Sequence, residues 1–428
     1  MSSATHVNSW YAATANHQKA YPSLEDRIQV DVCVVGSGYA GLHSAIELAQ
    51  RGYRVAVLEA RRVGWGASGR NGGQICTAFA ADMDKIERWV GREDAVRLFE
   101  LAEEAKTILC ERIERFEIEC GLTWGYLLAA ERSREMRECE EWADTAARDY
   151  GYEKLEIVKG AEAIRELVDS PRYIGGLIDQ GAGHLHPLNY CLGLACGAAA
   201  LGVQIFENSK VIGIQRGDPV TVRTATGEVV APFVIVAGNA YLNGIVPELR
   251  GRLMPVGTYI GATEPLGEAR ARSLLPQDHA VADLKFVLDY FRRSPDHRLL
   301  FGGRVSYSKL QPPDLKTSMR RGMLKVFPQL EDVMIEQAWG GFVGITMERT
   351  PDIGRISPNI YYAQGFSGQG VALTGIAGRV VAEAVAGQAE RFDLFARLPH
   401  RPFPGGPLLR TPTLVLAMLW YRLKDLLP

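Results

Sequence analysis

Six residues, Gly36-Ser37-Gly38-Tyr39-Ala40-Gly41, constrain this chain more than any other stretch. They follow a near-continuous β-branched run, Val30 to Val35. They precede Leu42 to Arg51, which carries apolar residues at Leu42, Ala45, Ile46 and Ala49. The first run reads as a strand covered on both faces of a parallel sheet. The second has helical spacing. Gly52 stops that helix, and Arg54 to Leu58 reads as a second strand. G-x-G-x-x-G is weak alone, but between a strand and a helix it has the context that the motif requires. Gly36 permits the tight turn, Gly38 lets backbone approach a pyrophosphate, and Gly41 lets helix pack on strand. The phosphates then face a helix N-terminus carrying about half a positive charge. Glu59 ends the second strand, beside Ala60 and Arg61, and its carboxylate suits a ribose diol.

Glycine makes up 45 of 428 residues, against a usual share of about 7%, and the excess clusters. A second loop, Gly64 to Gly73, contains Gly66, Ala67, Ser68, Gly69, Arg70, Asn71, Gly72 and Gly73. So many glycines turn backbone amides toward a ligand, and Ser68, Arg70 and Asn71 add donors. Trp65 in the same loop is a candidate cover for a flat ring. A third loop, Gly365-Phe366-Ser367-Gly368-Gln369-Gly370, lies between the buried run Ile360 to Ala363 and a helix from Val371 to Ala386. A second helix N-terminus therefore points at an anionic group.

The fold class is α/β. A parallel dinucleotide-binding sheet is assembled from separated segments, and a second part is built on a large antiparallel sheet. A length beyond about 250–300 residues favours two domains. The expected division is a strap at 1–28, polar and without periodicity. Residues 29–82, 155–242 and 338–395 form the nucleotide part. Residues 83–154 and 243–337 form the second part, followed by a tail at 396–428. Phe233 to Ala237, ending in Gly238, is a further buried strand. Tyr259 to Gly303 alternates apolar and polar residues, as an antiparallel sheet with one covered face does. A net charge of −2 leaves no footprint for nucleic acid. The seven cysteines form no C-x-x-C pair, which argues against structural zinc and for a reducing compartment. No leader-like core lies in Met1 to Asp26, and no apolar run approaches the ~20 residues of a bilayer span. A cytoplasmic location and no integral membrane segment are expected.

Together the three loops resemble the FAD-dependent D-amino-acid oxidase superfamily, in its glycine/sarcosine oxidase branch. The spacing Gly41-x3-Ala45-x6-Gly52 is similar to the extended FAD fingerprint. The resemblance covers nearly the whole chain. It includes Trp10 to Asn16, Asp31 to Gly36, Gly64 to Gly73, Gly183 to Asn189, Val234 to Leu242 and Leu398 to Gly406. The implied reaction is oxidative deamination of a γ-glutamyl-capped amine such as γ-glutamylputrescine. A hydride passes from the amine-bearing carbon to flavin N5, the imine hydrolyses to aldehyde and ammonia, and molecular oxygen yields hydrogen peroxide. The alternative is a sarcosine- or D-amino-acid-type oxidase, or a dehydrogenase passing electrons to quinone. Relatives with a cysteinyl-linked flavin have Cys just before the segment 340–352, where this chain has Trp339, so non-covalent FAD is expected.

By the same resemblance, Val211 pairs backbone with adenine, and Ala237 and Gly238 line the cofactor. Gln369 stands where relatives carry histidine; it can donate a hydrogen bond but cannot hold charge. Arg304, after a Gly-Gly pair, is the candidate clamp for the glutamyl carboxylate. Tyr290 and Phe291 are candidate walls for the alkyl chain, and Trp339 is a candidate neighbour of the flavin ring. His184 and His186, ahead of a helix, read as capping and packing residues. Arg292-Arg293 and Arg320-Arg321 read as solvated faces.

Overall fold

The computed structural model describes residues 5–242, 244–285, 288–306 and 314–405, with 304–306 as backbone. The tail beyond 405 that the sequence sets apart lies outside the described residues. A six-stranded sheet holds the parallel strands Ile360–Gln364, Phe233–Val236, Val32–Val35, Val55–Leu58 and Gln204–Phe206 in that order. Asp352–Ser357 adds an antiparallel edge. Every residue of the four-residue strands Val32–Val35 and Val55–Leu58 is buried, as their unbroken apolar character requires. Helices Tyr39–Gln50 and Gly370–Val385 cross over this sheet, and both are apolar around most of their circumference.

At that crossing Glu47, 4% exposed, meets Arg51, Arg379 and Arg112. Burial opposes its charge, but the three guanidinium groups hold its carboxyl below the usual range. Among the described residues no single helix is long and apolar enough to cross a membrane.

The second sheet has nine strands and is mainly antiparallel. It includes Leu155–Lys159, Gly175–His184 and Ile335–Ile345, so part of the stretches 155–242 and 338–395 that the sequence assigns to the nucleotide part pairs here instead. Such strands are short of continuous apolar runs and carry glycine. Ala282, Tyr290, Gly302, Ile260 and Trp339 lie abreast across five of the strands. A Cβ on Gly302 would lie 2.0 Å from the Tyr290 ring, so that ring covers the glycine opposite it. Arg304 falls at a register shift: Gly303 pairs with Tyr259 and Val305 with Thr258, leaving Arg304 as the extra residue of a bulge. Bulges re-aim side chains and collect beside functional sites. A small four-stranded sheet completes the fold.

The N-terminal strap expectation needs correction. Trp10–Ala13 is a helical turn capped by Ser9, and Arg27–Gln29 is a strand of the four-stranded sheet. Tyr11 is fully buried between His186 and Trp339. The Trp10 indole donates to Asp296 at 3.1 Å. A four-residue turn carries too little periodicity to be read, and its partners lie far along the chain. Trp10→Ala is expected to destabilise the protein by about 3–5 kcal/mol, read as a lowered thermal midpoint that Trp10→Phe largely restores.

Candidate active site

A cavity of about 340 Å³ opens where the three glycine loops meet. Gly36, Gly38, Tyr39 and Ala40 form its wall from the first loop. Glu59, Ala60 and Arg61 follow from the end of the second strand. The second loop contributes Gly66, Ala67, Ser68, Asn71 and Gly72, and the third Phe366, Ser367, Gly368 and Gly370. Val211 and Gly238 are the other expected residues on the wall. Parallel strands end together, so both glycine-rich turns that follow them open on the same side of the sheet.

The first turn is closed by backbone packing. A Cβ on Gly41 would lie 1.9 Å from the Gly36 carbonyl oxygen, so no other residue lets the helix sit this close to the strand. The Tyr39 N–H at the helix start donates to Ser68 Oγ at 3.0 Å, which ties the first loop to the second. Ser37 does not line the cavity; its N–H and Oγ donate to Glu59 at 3.0 and 2.9 Å. The Arg61 N–H donates to the same carboxylate at 2.9 Å. Burial raises the Glu59 pKa, and these donors oppose the shift.

Other expected cofactor residues act one layer back. Ala237 N–H donates to Val35 O, and Gly73 O accepts from Leu185 N–H. Gly365 N–H donates to Asn239 Oδ1 at 3.0 Å. Gly69 closes the short turn Ala67–Gly69. Arg70 lies over the Trp65 ring at 4.0 Å and donates to Trp65 O at 2.6 Å and Gly340 O at 3.3 Å.

None of the four expected catalytic residues lies on the described cavity wall. Trp339, 2% exposed, packs behind the second loop and donates to Arg70 O at 3.2 Å. Tyr290 packs against Gly72, where a Cβ would lie 2.7 Å from its ring; burial pushes its phenol up. Gln369 stands at the cap of the helix Gly370–Val385. The Arg304 side chain lies outside the described residues. Phe291 is core, stacked on Phe301 and edge-on to Phe327. His186 caps the helix Pro187–Ala200, accepting from Asn189 N–H, and His184 Nε2 lies 2.8 Å from Asp278 O.

The solvated-face reading fails for Arg292, which is 3% exposed. It faces inward on the same side of the sheet as Tyr290, and strand alternation offered that signal. Arg320 donates to Val333 O at 2.9 Å, so its face is only partly free. Trp65 does line the cavity, with Lys210, Gln74, Asn239, Tyr241 and Val343, which carry no motif of their own. Arg70 Nη2, Gln74 Nε2 and Gln369 Oε1 are buried and have no hydrogen-bond partner among the described residues. The unmatched Gln74 donor on the wall, together with loop amides and the half-buried Glu59 carboxylate, suits a polar ring joined to a pyrophosphate and a ribose. Gly41→Ala is expected to yield a folded but dinucleotide-free protein, measured by absorbance and by thermal midpoint with and without added dinucleotide. Retention equal to the unsubstituted chain contradicts this.

Comparison with known proteins agrees with this geometry. The DAO model, FAD dependent oxidoreductase, matches residues 31–384. The chain is 46% identical over 421 residues to gamma-glutamylputrescine oxidoreductase of Escherichia coli K12, covering 98% of each. It is 41% identical to a probable oxidoreductase OrdL of Haemophilus influenzae, covering 98% of this chain and 97% of that one. Glycine oxidase from Bacillus cereus shares the fold with a TM-score of 0.72 at 22% identity, covering 87% of this chain and 99% of that one. L-proline dehydrogenase from P. horikoshii does so with a TM-score of 0.71 at 21% identity, over 87% and 98%. The chain belongs to the DAO family of FAD-dependent oxidoreductases.

Proposed function

We propose that this protein is a non-covalent FAD amine oxidase that deaminates γ-glutamylputrescine or a related γ-glutamylated amine. The observation that carries the reading is the 46% identity to gamma-glutamylputrescine oxidoreductase across 98% of both chains. The products are the aldehyde, ammonia and hydrogen peroxide, with molecular oxygen as electron acceptor. Trp339 stands where relatives with a cysteinyl-linked flavin carry the linking thiol.

When bound, FAD supplies the two-electron acceptor for a hydride from the amine-bearing carbon. The chain's own residues bind and orient. The amides of the first loop and Ser68 would hold the pyrophosphate, Glu59 the ribose, and Val211 the adenine. The start of the helix Gly370–Val385 favours negative charge at the ring. Gln369 offers a hydrogen bond there without a charge. Arg304 takes the glutamyl carboxylate through its fork, while Tyr290 and Trp339 hold the second loop and exclude water behind it. No acid–base triad is required, because the amine has only to arrive neutral and aligned.

A peroxide-coupled screen of γ-glutamyl amines, free amines and N-methyl amino acids tests the reading. Preference for γ-glutamylputrescine with peroxide release is expected. Preference for sarcosine or D-amino acids overturns the substrate, and turnover without oxygen uptake overturns the acceptor. Arg304→Ala is expected to raise KM for a carboxylate-bearing amine by the equivalent of about 1.5–3 kcal/mol, and an unchanged KM removes Arg304 from the site.

A further inference from the structure

The Arg292 guanidinium donates to four neutral acceptors. Nε reaches Gly72 O at 2.9 Å and Nη1 reaches Arg293 O at 3.2 Å. Nη2 reaches Leu185 O at 3.1 Å and Tyr11 Oη at 3.3 Å. Among the described residues no carboxylate pairs with it. Asp278 is bridged to Arg293 at 3.2 Å and Asp296 to Arg298 at 2.7 Å. Burial and the charge of Arg292 push His184 and His186 down to about 3, so both stay neutral beside it. One positive charge is therefore buried with no carboxylate in direct contact, and the nearest charge partner, Asp278, is bridged to Arg293.

Loop support alone does not explain that charge. A neutral amide, with two N–H donors, could hold two of these acceptors without burying a charge. Its place does explain it: Gly72 and Asn71 line the cavity, and Arg292 holds the Gly72 carbonyl from behind. The guanidinium thus bonds directly to a residue of the cavity wall. Removing a hydride from a neutral amine leaves a cation on the substrate and puts one negative charge on the acceptor. A fixed positive charge in this poorly solvated setting favours that charge before the reaction begins.

We propose that Arg292 is a positioning and electrostatic residue that stabilises negative charge on the bound cofactor through the second loop. The proposal rests on the FAD of the family and not on the choice of amine. Sulfite separates the two, because it adds to the oxidised ring, forming one bond and placing negative charge there, without any amine present.

The test uses the FAD-loaded protein with Arg292→Gln, which keeps two N–H donors and drops the charge, and Arg292→Lys, which keeps the charge with three donors. Arg292→Gln is expected to weaken sulfite binding about tenfold and to shift the two-electron equilibrium of the flavin toward the oxidised form by a similar factor, about 30 mV. Arg292→Lys is expected to stay within about threefold of the unsubstituted protein. Sulfite affinity and potential unchanged in Arg292→Gln overturn the proposal. So does a loss in Arg292→Lys as large as that in Arg292→Gln, which would mark a purely structural role. Where Arg292→Gln does not load FAD, the Arg292→Lys arm alone decides, by retention or by loss.

Discussion

The Gly36 carbonyl and the Gly41 α-carbon pack so closely that no methyl group fits between them. That contact seats the helix Tyr39–Gln50 on the strand Val32–Val35 and aims its first amides at the cavity. The same helix then packs against Gly370–Val385, where a Cβ on Gly378 would lie 2.7 Å from the His43 backbone. The third glycine loop starts that second helix, so its position follows from the first contact. Backbone packing in one turn thus fixes two helix ends, and the buried Glu47 cluster locks them from behind.

The nine-stranded sheet contributes what the parallel sheet cannot. Its inner face presents Tyr290, Arg292 and Trp339 to the back of the second loop. Trp339 holds Arg70 O, Arg292 holds Gly72 O, and Tyr290 fills the space over Gly302 and Gly72. The N-terminal turn seals the cluster through Tyr11. The loop is therefore clamped between two sheets, which makes a cavity wall of fixed shape from a segment rich in glycine. A glycine loop left free would lose much of its entropy only on binding and would bind more weakly.

The three loops were legible because each is a local pattern of strand, glycines and helix. Gly36 to Gly41 and Gly365 to Gly370 each lie between a buried strand and a helix, and Glu59 follows the strand Val55–Leu58, as the spacing predicts. The parallel core strands were legible for the same reason. What escaped depends on contacts between distant residues. Arg292 meets Gly72, Leu185 and Tyr11 at separations of 220, 107 and 281 residues; strand alternation gives its side of the sheet but not these partners. The turn at Trp10 and the wall residue Gln74 escaped likewise. The bulge at Arg304 comes from a register shift between two strands, which neither strand's sequence displays alone.

Three turns from separate parts of the chain line one cavity, the place for the FAD of this family. Removing the cofactor and titrating the apoprotein with FAD tests that assignment directly. One FAD per chain, a return of the yellow colour and a raised thermal midpoint are the results this account predicts. A colourless protein whose midpoint does not move with FAD would contradict it.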